Sequence, residues 1–151
     1  MSKHSAGLLI YRRRANALQV LLVHPGGPFW AKKDAGVWSI PKGEYADPEI
    51  PLDVATREFH EETGYTASGP FVALGTVTQS GGKIVTAWAC EGDYDASAIR
   101  SNTFVMEWPP KSGIQREFPE VDRAGWFTLD EAIKKILPAQ REFLDRLQKL
   151  I

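Results

Sequence analysis

Apolar and polar positions divide the chain into short β-prone runs, one well-bounded central helix and a helical C-terminal end. Residues 6–11 and 17–23 are apolar and β-prone, and predict two strands joined by a turn at Ala15-Asn16. Residues 25–36 read as a loop, with Gly26-Gly27-Pro28 followed by Phe29-Trp30-Ala31-Lys32-Lys33. A short strand over 37–40 ends at Pro41, and a Gly/Pro-containing loop follows over 42–51. Residues 51–63 predict a helix: proline suits its first turn, Gly64 its C-terminal stop, and no breaker lies between. Strands recur over 71–79 and 83–90, joined by the hairpin signal Ser80-Gly81-Gly82. Residues 103–108 read as a further strand, 109–113 as a loop and 123–127 as a last strand. Thr128-Leu129-Asp130-Glu131 has capping-box form and opens a short helix; Pro138 can start a second. With no repeats or low-complexity linkers, residues 1–151 read as one α/β domain with a mixed sheet.

Composition narrows the function classes. The chain has 151 residues, 43% hydrophobic and 25% charged, which suits one globular core and excludes fibrous or disordered classes. A formal net charge of −1 argues against a sequence-independent grip on DNA or RNA, while leaving room for a small anionic ligand. The run Arg12-Arg13-Arg14 is explained at least as well by a solvated strand end as by a phosphate patch. Cys90 is the only cysteine, so an intramolecular disulfide and a cysteine zinc site are excluded; its apolar surroundings suit a core residue. No stretch approaches a membrane span and the N-terminus lacks a signal-peptide pattern, so a cytoplasmic location is expected.

The helix over 51–63 carries the chemistry. At about 100° per residue, with Glu58 at zero, Glu62 lies near +40° and Glu61 near −60°, so three carboxylates share roughly a 100° arc. Leu52, Ala55 and Phe59 run beside that arc as a core-facing stripe, which places the glutamates at the border of core and surface. Like charges this close repel, and Arg57, paired to Glu61 four residues on, offsets only part of it. A hard divalent cation would offset the rest. Oxygen-only ligands favour Mg²⁺ or Mn²⁺ over zinc. Taken alone, an arbitrary Glu-x-x-Glu-Glu reads as an exposed acidic face.

The wider pattern changes that reading. Gly43, Glu49, Arg57, Glu58, Glu61, Glu62 and Gly64 match the Nudix box, Gly-x5-Glu-x7-Arg-Glu-U-x-Glu-Glu-x-Gly-U, and the chain resembles the Nudix hydrolases. Seven fixed matches by chance run at roughly 10⁻⁸ per starting position, taking each residue type near 7% abundance. The two bulky positions are Phe59 and Tyr65, where the family commonly has aliphatic residues. The resemblance implies an α/β/α sandwich with a mixed β-sheet and Mg²⁺-dependent cleavage of a phosphoanhydride bond by an activated water. It also implies that Glu58 and Glu62 bind metal with the Gly43 carbonyl, and that Glu61 faces the metals. Arg57 orients the glutamates, and Glu49 supports the loop or an additional metal. A glutamate from a late loop often serves as catalytic base in the family. Glu117 and Glu120 are the candidates here, with Glu120 favoured because Pro119-Glu120-Val121-Asp122 resembles its position in RNA-pyrophosphohydrolase-type members.

Substrate-contact residues are less marked. Pro41-Lys42-Gly43 resembles Nudix members acting on diadenosine polyphosphates or diphosphoinositol polyphosphates, where the lysine can meet a phosphate; an exposed surface lysine is the alternative. Lys32, Lys33 and Lys83 are further phosphate candidates. Of five tryptophans, Trp30 and Trp108 lie in or beside Gly/Pro loops and suit base stacking, whereas Trp38, Trp88 and Trp126 suit the core. His24 and His60 read as structural residues. The partner expected is therefore a small phosphoanhydride, a nucleotide by preference, with a non-nucleoside diphosphate or a non-catalytic nucleotide sensor as alternatives.

Overall fold

The computed structural model describes residues 3–151. Two long strands, β1 (His4–Arg14) and β2 (Ala17–Pro25), form the first hairpin. Ala15 and Asn16 both adopt positive φ, 53° and 64°, which suits a two-residue turn matched to strand twist. The arginine run is the solvated strand end: Arg12 bonds Gln19 and Asp93 and lies 4.0 Å over the Trp126 ring.

Residues 42–45, expected as loop, form β3 (Lys42–Tyr45) along the edge of β1. The strand expected over 37–40 is not one. Trp38 and Ser39 make only isolated bridges, to Ile136 and Val23. The helix α1 (Pro51–Thr63) has the expected bounds, and Gly64 closes it in the left-handed conformation, φ 83°, donating its N–H to the His60 carbonyl. Next come β4 (Val72–Thr78) and β5 (Ile84–Glu91), joined through a 3-10 turn at Ser80–Gly82. β6 (Thr103–Glu107) pairs with β7 (Gln115–Pro119), a strand the sequence pattern does not announce. β8 (Val121–Thr128) is longer at its start than expected. The capping box at Thr128 and Glu131 opens α2 (Leu129–Lys135), and Pro138 opens a 3-10 turn leading into α3 (Arg141–Leu150).

The main sheet runs β4-β5-β1-β2-β8, with β3 also on β1. Only β1 and β5 are parallel, so the sheet is mixed. Side chains alternate across it. Leu9, Val20, Leu22, Val85 and Ala87 meet α2 and α3 through Ala132, Ile136, Phe143 and Leu147. Leu8, Ile10 and Leu21 meet α1 through Val54, Ala55 and Phe59. Cys90 and Trp38 are core residues, as expected. The result is the anticipated α/β/α sandwich. No helix among the described residues is long and apolar enough to cross a membrane.

Candidate functional site

The glutamates lie deeper than the border position their spacing suggests. Val54, Ala55 and Phe59 are all buried, and on a helix at about 100° per residue they span roughly −40° to +100° relative to Glu58. Glu58 and Glu62 fall inside that buried arc, while Glu61 stands at its edge. Two carboxyl groups therefore occupy the helix face turned toward the sheet.

Their environment follows. A Cβ on Gly43 would overlap the Glu58 carboxyl group, so only glycine lets β3 approach α1 this closely. Glu58 Oε2 is buried with no hydrogen-bond partner. Burial, the adjacent Glu61 carboxyl and the Glu120 charge raise the Glu58 pKa to about 7, against an opposing pull from Arg57. Glu62 is pushed well above the usual carboxylate range by burial and by the Glu58 and Glu120 charges. The Lys42 ammonium and its backbone N–H oppose this only in part.

Arg57 and Glu49 form the outer brace. Arg57 Nη1 donates to Glu49 Oε2 at 2.9 Å, and Arg57 Nε stands 3.7 Å from Glu61. Glu49 Oε1 accepts from the Ala46 N–H at 3.2 Å. Both Glu49 oxygens are thus engaged in shaping the loop before α1, and these bonds hold its carboxyl below the usual range.

A cleft of about 240 Å³ adjoins the glutamates, lined among others by Trp30, Lys42, Glu62 and Glu120. Four of the residues singled out from sequence converge there. Trp108 does not line it; it packs edge-on against Phe29, centroids 5.3 Å apart. Glu117 is exposed on β7. Lys32 and Lys33 do not line the cleft either, and Lys33 lies 5.1 Å over the Trp30 ring. Lys42 is largely buried, and burial followed by the nearby Lys83 charge pulls its pKa down.

One holding element had no local sequence signal. His24 is fully buried, with Nδ1 2.8 Å from Asp122 Oδ1 and Nε2 2.6 Å from the Lys33 carbonyl. It ties the 25–36 loop, and hence Trp30, to the strand beginning beside Glu120. The Gly26 N–H adds a bond to the Glu120 carbonyl at 2.8 Å. Gln140, also fully buried, fixes the cleft floor by accepting from the Ile40 N–H at 3.0 Å. Asp122 and Gln140 are about a hundred residues from their partners, so only an aligned set of related sequences could have paired them in advance.

The residues present suit a hard divalent cation. Oxygen donors, a buried unpartnered Glu58 oxygen and two carboxyls held above their ordinary pKa form a site that a cation would relieve. As they stand, no three His, Cys, Asp or Glu side chains among the described residues converge closely enough to hold an ion.

A family model for the NUDIX domain matches residues 1–147. The chain belongs to the Nudix family. As a Nudix hydrolase it acts on a pyrophosphate bond. Among solved structures, this Nudix chain is similar to a C. elegans Ap4A hydrolase in a binary complex, at 22% identity and TM-score 0.67, covering 98% of this chain and 96% of that one. It is also similar to the NUDIX domain of Shewanella oneidensis NrtR complexed with ADP ribose, at 16% identity and TM-score 0.68, covering 99% and 88%. The E. coli ORF135 protein aligns at 20% identity and TM-score 0.60, covering 99% and 90%. At these identities the likeness carries the fold.

Proposed function

We propose that this chain is an Mg²⁺-dependent pyrophosphohydrolase of nucleoside-diphosphate-linked compounds, with a dinucleoside polyphosphate or a modified nucleoside triphosphate favoured. The observation that carries the reading is the buried Glu58–Glu62 pair against Gly43, both carboxyls raised in pKa and one oxygen unpartnered. Glu58, Glu62 and the Gly43 carbonyl would hold Mg²⁺, or Mn²⁺. The cation, when bound, neutralises phosphate charge and activates water for attack on phosphorus.

The remaining roles belong to the protein. Lys42, lining the cleft beside Glu62, meets a substrate phosphate. Glu120, which also lines the cleft, would accept a proton from water entering it. Glu61 borders the pair, and Arg57 fixes its orientation while Glu49 braces the loop. Trp30, which lines the cleft, offers a face on which a base can stack, whereas Trp108 packs on Phe29 outside the cleft lining. The solved neighbours named for Ap4A and ADP ribose support a nucleotide over a non-nucleoside ligand.

The test is cleavage, with and without Mg²⁺ and followed by chromatography of the products, of dinucleoside polyphosphates, normal and oxidised nucleoside triphosphates, ADP-ribose, capped RNA and a diphosphoinositol polyphosphate. Mg²⁺-dependent turnover of a nucleotide member is expected. Tight nucleotide binding with no turnover of any compound would replace the enzyme by a sensor.

A further inference from the structure

Residues 63–82 carry no Asp, Glu, Lys or Arg, and the stretch from Val72 to Thr78 within them is β-prone. That stretch is β4, which stands at the end of the main sheet with β5 as its neighbour. An edge strand offers unpaired backbone groups to any other extended chain, and natural sheets guard such edges with charge, proline or a bulge. A neutral, β-prone edge is the hazardous case. In β4 the guarding charge does not come from the strand's own sequence.

It comes from α3. Phe143, Leu144 and Leu147 are buried and fix the roll of that helix, so Arg146, about 60° round from Phe143, falls at the rim of the buried stripe. The Gln140 side-chain amide donates to Gln79 Oε1 at 2.8 Å, which sets the start of α3 beside the end of β4. Farther along, Arg146 Nη1 donates to two β4 carbonyls, Leu74 at 2.9 Å and Thr76 at 2.8 Å, while Nη2 donates to Glu142 Oε2 at 2.8 Å. In a regular strand, carbonyls two residues apart stand about 6.6 Å from each other, too far for one nitrogen to bond both this closely. The register of β4 on β5 shifts between Ala73 and Gly75, and Gly75 has φ 81°; this kink draws the two carbonyls together. A Cβ on Gly75 would stand 3.2 Å from Arg146 Nη1, so glycine also leaves room for the guanidinium.

The side of the strand that the guanidinium occupies decides its role. In an antiparallel ladder alternate residues bond the neighbouring strand, and those between turn their N–H and C=O outward. The Gln79 N–H donates to the Lys83 carbonyl across the hairpin, which sets Val77 to bond β5 and leaves Thr76 and Thr78 facing outward. The Thr76 carbonyl taken by Arg146 is therefore an edge group. A further strand would need that carbonyl, and two copies meeting edge to edge would bring two Arg146 guanidinium groups together.

We propose that Arg146 is a plug that holds the β4 edge shut, and that the surface it covers fits β4 of a second copy of this chain. Antiparallel β4–β4 pairing sets neutral side chains opposite neutral side chains along the whole strand. A two-fold axis uses both edges at once, so association closes at a dimer. None of the residues lining the cleft belongs to β4, so the plug is independent of the hydrolase reading.

The full-length protein, Arg146→Ala and Arg146→Ala/Thr78→Lys are compared by sedimentation velocity over a range of concentrations. Amide hydrogen exchange of β4 is followed alongside. Arg146→Ala should associate as concentration rises, toward about twice the wild-type mass. The outward Thr76 and Thr78 amides should exchange more slowly in the associated variant than in wild type. Thr78→Lys, which puts a charge back on the exposed edge, should return the wild-type mass. If Arg146→Ala does not fold, Arg146→Met takes its place, keeping aliphatic cover on Phe143 without the charge or the donors. A folded variant that sediments like wild type at every concentration would overturn the plug. So would association that Thr78→Lys leaves in place, or that leaves Thr76 and Thr78 exchange unchanged, because the contact would then lie elsewhere.

Discussion

Replacing Glu58 by Gln should make the metal-free protein more stable at alkaline pH and less responsive to pH. The folded chain holds the Glu58 carboxyl at about 7 against an ordinary 4.5, chiefly through burial. A group whose pKa is raised by folding contributes stability that is complete below the unfolded value and lost as pH climbs through the folded one. The window here is therefore about pH 4.5 to 7. At about 1.4 kcal/mol per pH unit the displacement corresponds to roughly 3 kcal/mol. The cluster opens partly on solvent, and screening should remove about half, leaving about 1.5 kcal/mol. Glutamine mimics the neutral carboxyl, so in EDTA at pH 8 the variant should exceed wild type by that amount, or by roughly 3–6 °C in Tm for a domain of this size. Near pH 4.5 the two should coincide. Glu62 is raised in the same direction, in part by the Glu58 charge, so the difference between the proteins reports Glu58 together with its coupling to Glu62. Excess Mg²⁺ should reverse the order at pH 8, because an ion bound only to the folded wild type adds stability. Calorimetric or fluorescence melts from pH 4.5 to 8 in EDTA suffice. Parallel pH profiles for the two proteins would refute the claim that Glu58 is held neutral by burial.

Three other substitutions probe the site's construction. Gly43→Ala places a methyl group where the Glu58 carboxyl lies; we expect a loss of about 1–3 kcal/mol by urea unfolding and a sharp fall in kcat. His24→Ala opens a buried space and strands the Asp122 carboxylate and Lys33 carbonyl, for an expected loss of about 3 kcal/mol in the same assay. Glu120→Gln keeps the cleft's shape but removes its proton acceptor, so kcat should drop about 10²–10⁴-fold with little change in the thermal midpoint. A Glu120→Gln enzyme with wild-type kcat would assign the base elsewhere.

What the sequence revealed depended on how local each signal was. The helix over Pro51–Thr63 was legible because its start, its stop and its apolar spacing lie within fourteen residues. The carboxylate cluster was legible for the same reason, but its depth was not. Val54, whose burial moves Glu58 into the helix's inward arc, becomes informative only once the sheet is packed against it. β3 was missed because Lys42-Gly43-Glu44-Tyr45 shows no apolar alternation; pairing with β1 makes it a strand. β7 was missed because Gln115, Arg116 and Glu117 are all exposed, and only Phe118, 6.1 Å from Phe104, packs across the hairpin. Residues 37–40 look like a strand but are held instead by Val23, the Gln140 side chain and Lys135. Two of those three holding groups, Lys135 and Gln140, lie about a hundred residues away. The cleft itself, drawn from β2, β3, α1, the loop at Trp30 and the start of β8, exists only in the folded chain.

The measurement closest to the central claim is the rate of Mg²⁺-dependent hydrolysis by Glu62→Gln. On the best substrate of the panel, wild type should be active with Mg²⁺ and inactive in EDTA. The variant, still folded by circular dichroism, should lose on the order of 10²-fold or more in kcat. Near-normal Mg²⁺-dependent turnover by Glu62→Gln would contradict the account, because the buried glutamate pair would then not be the seat of the catalytic cation.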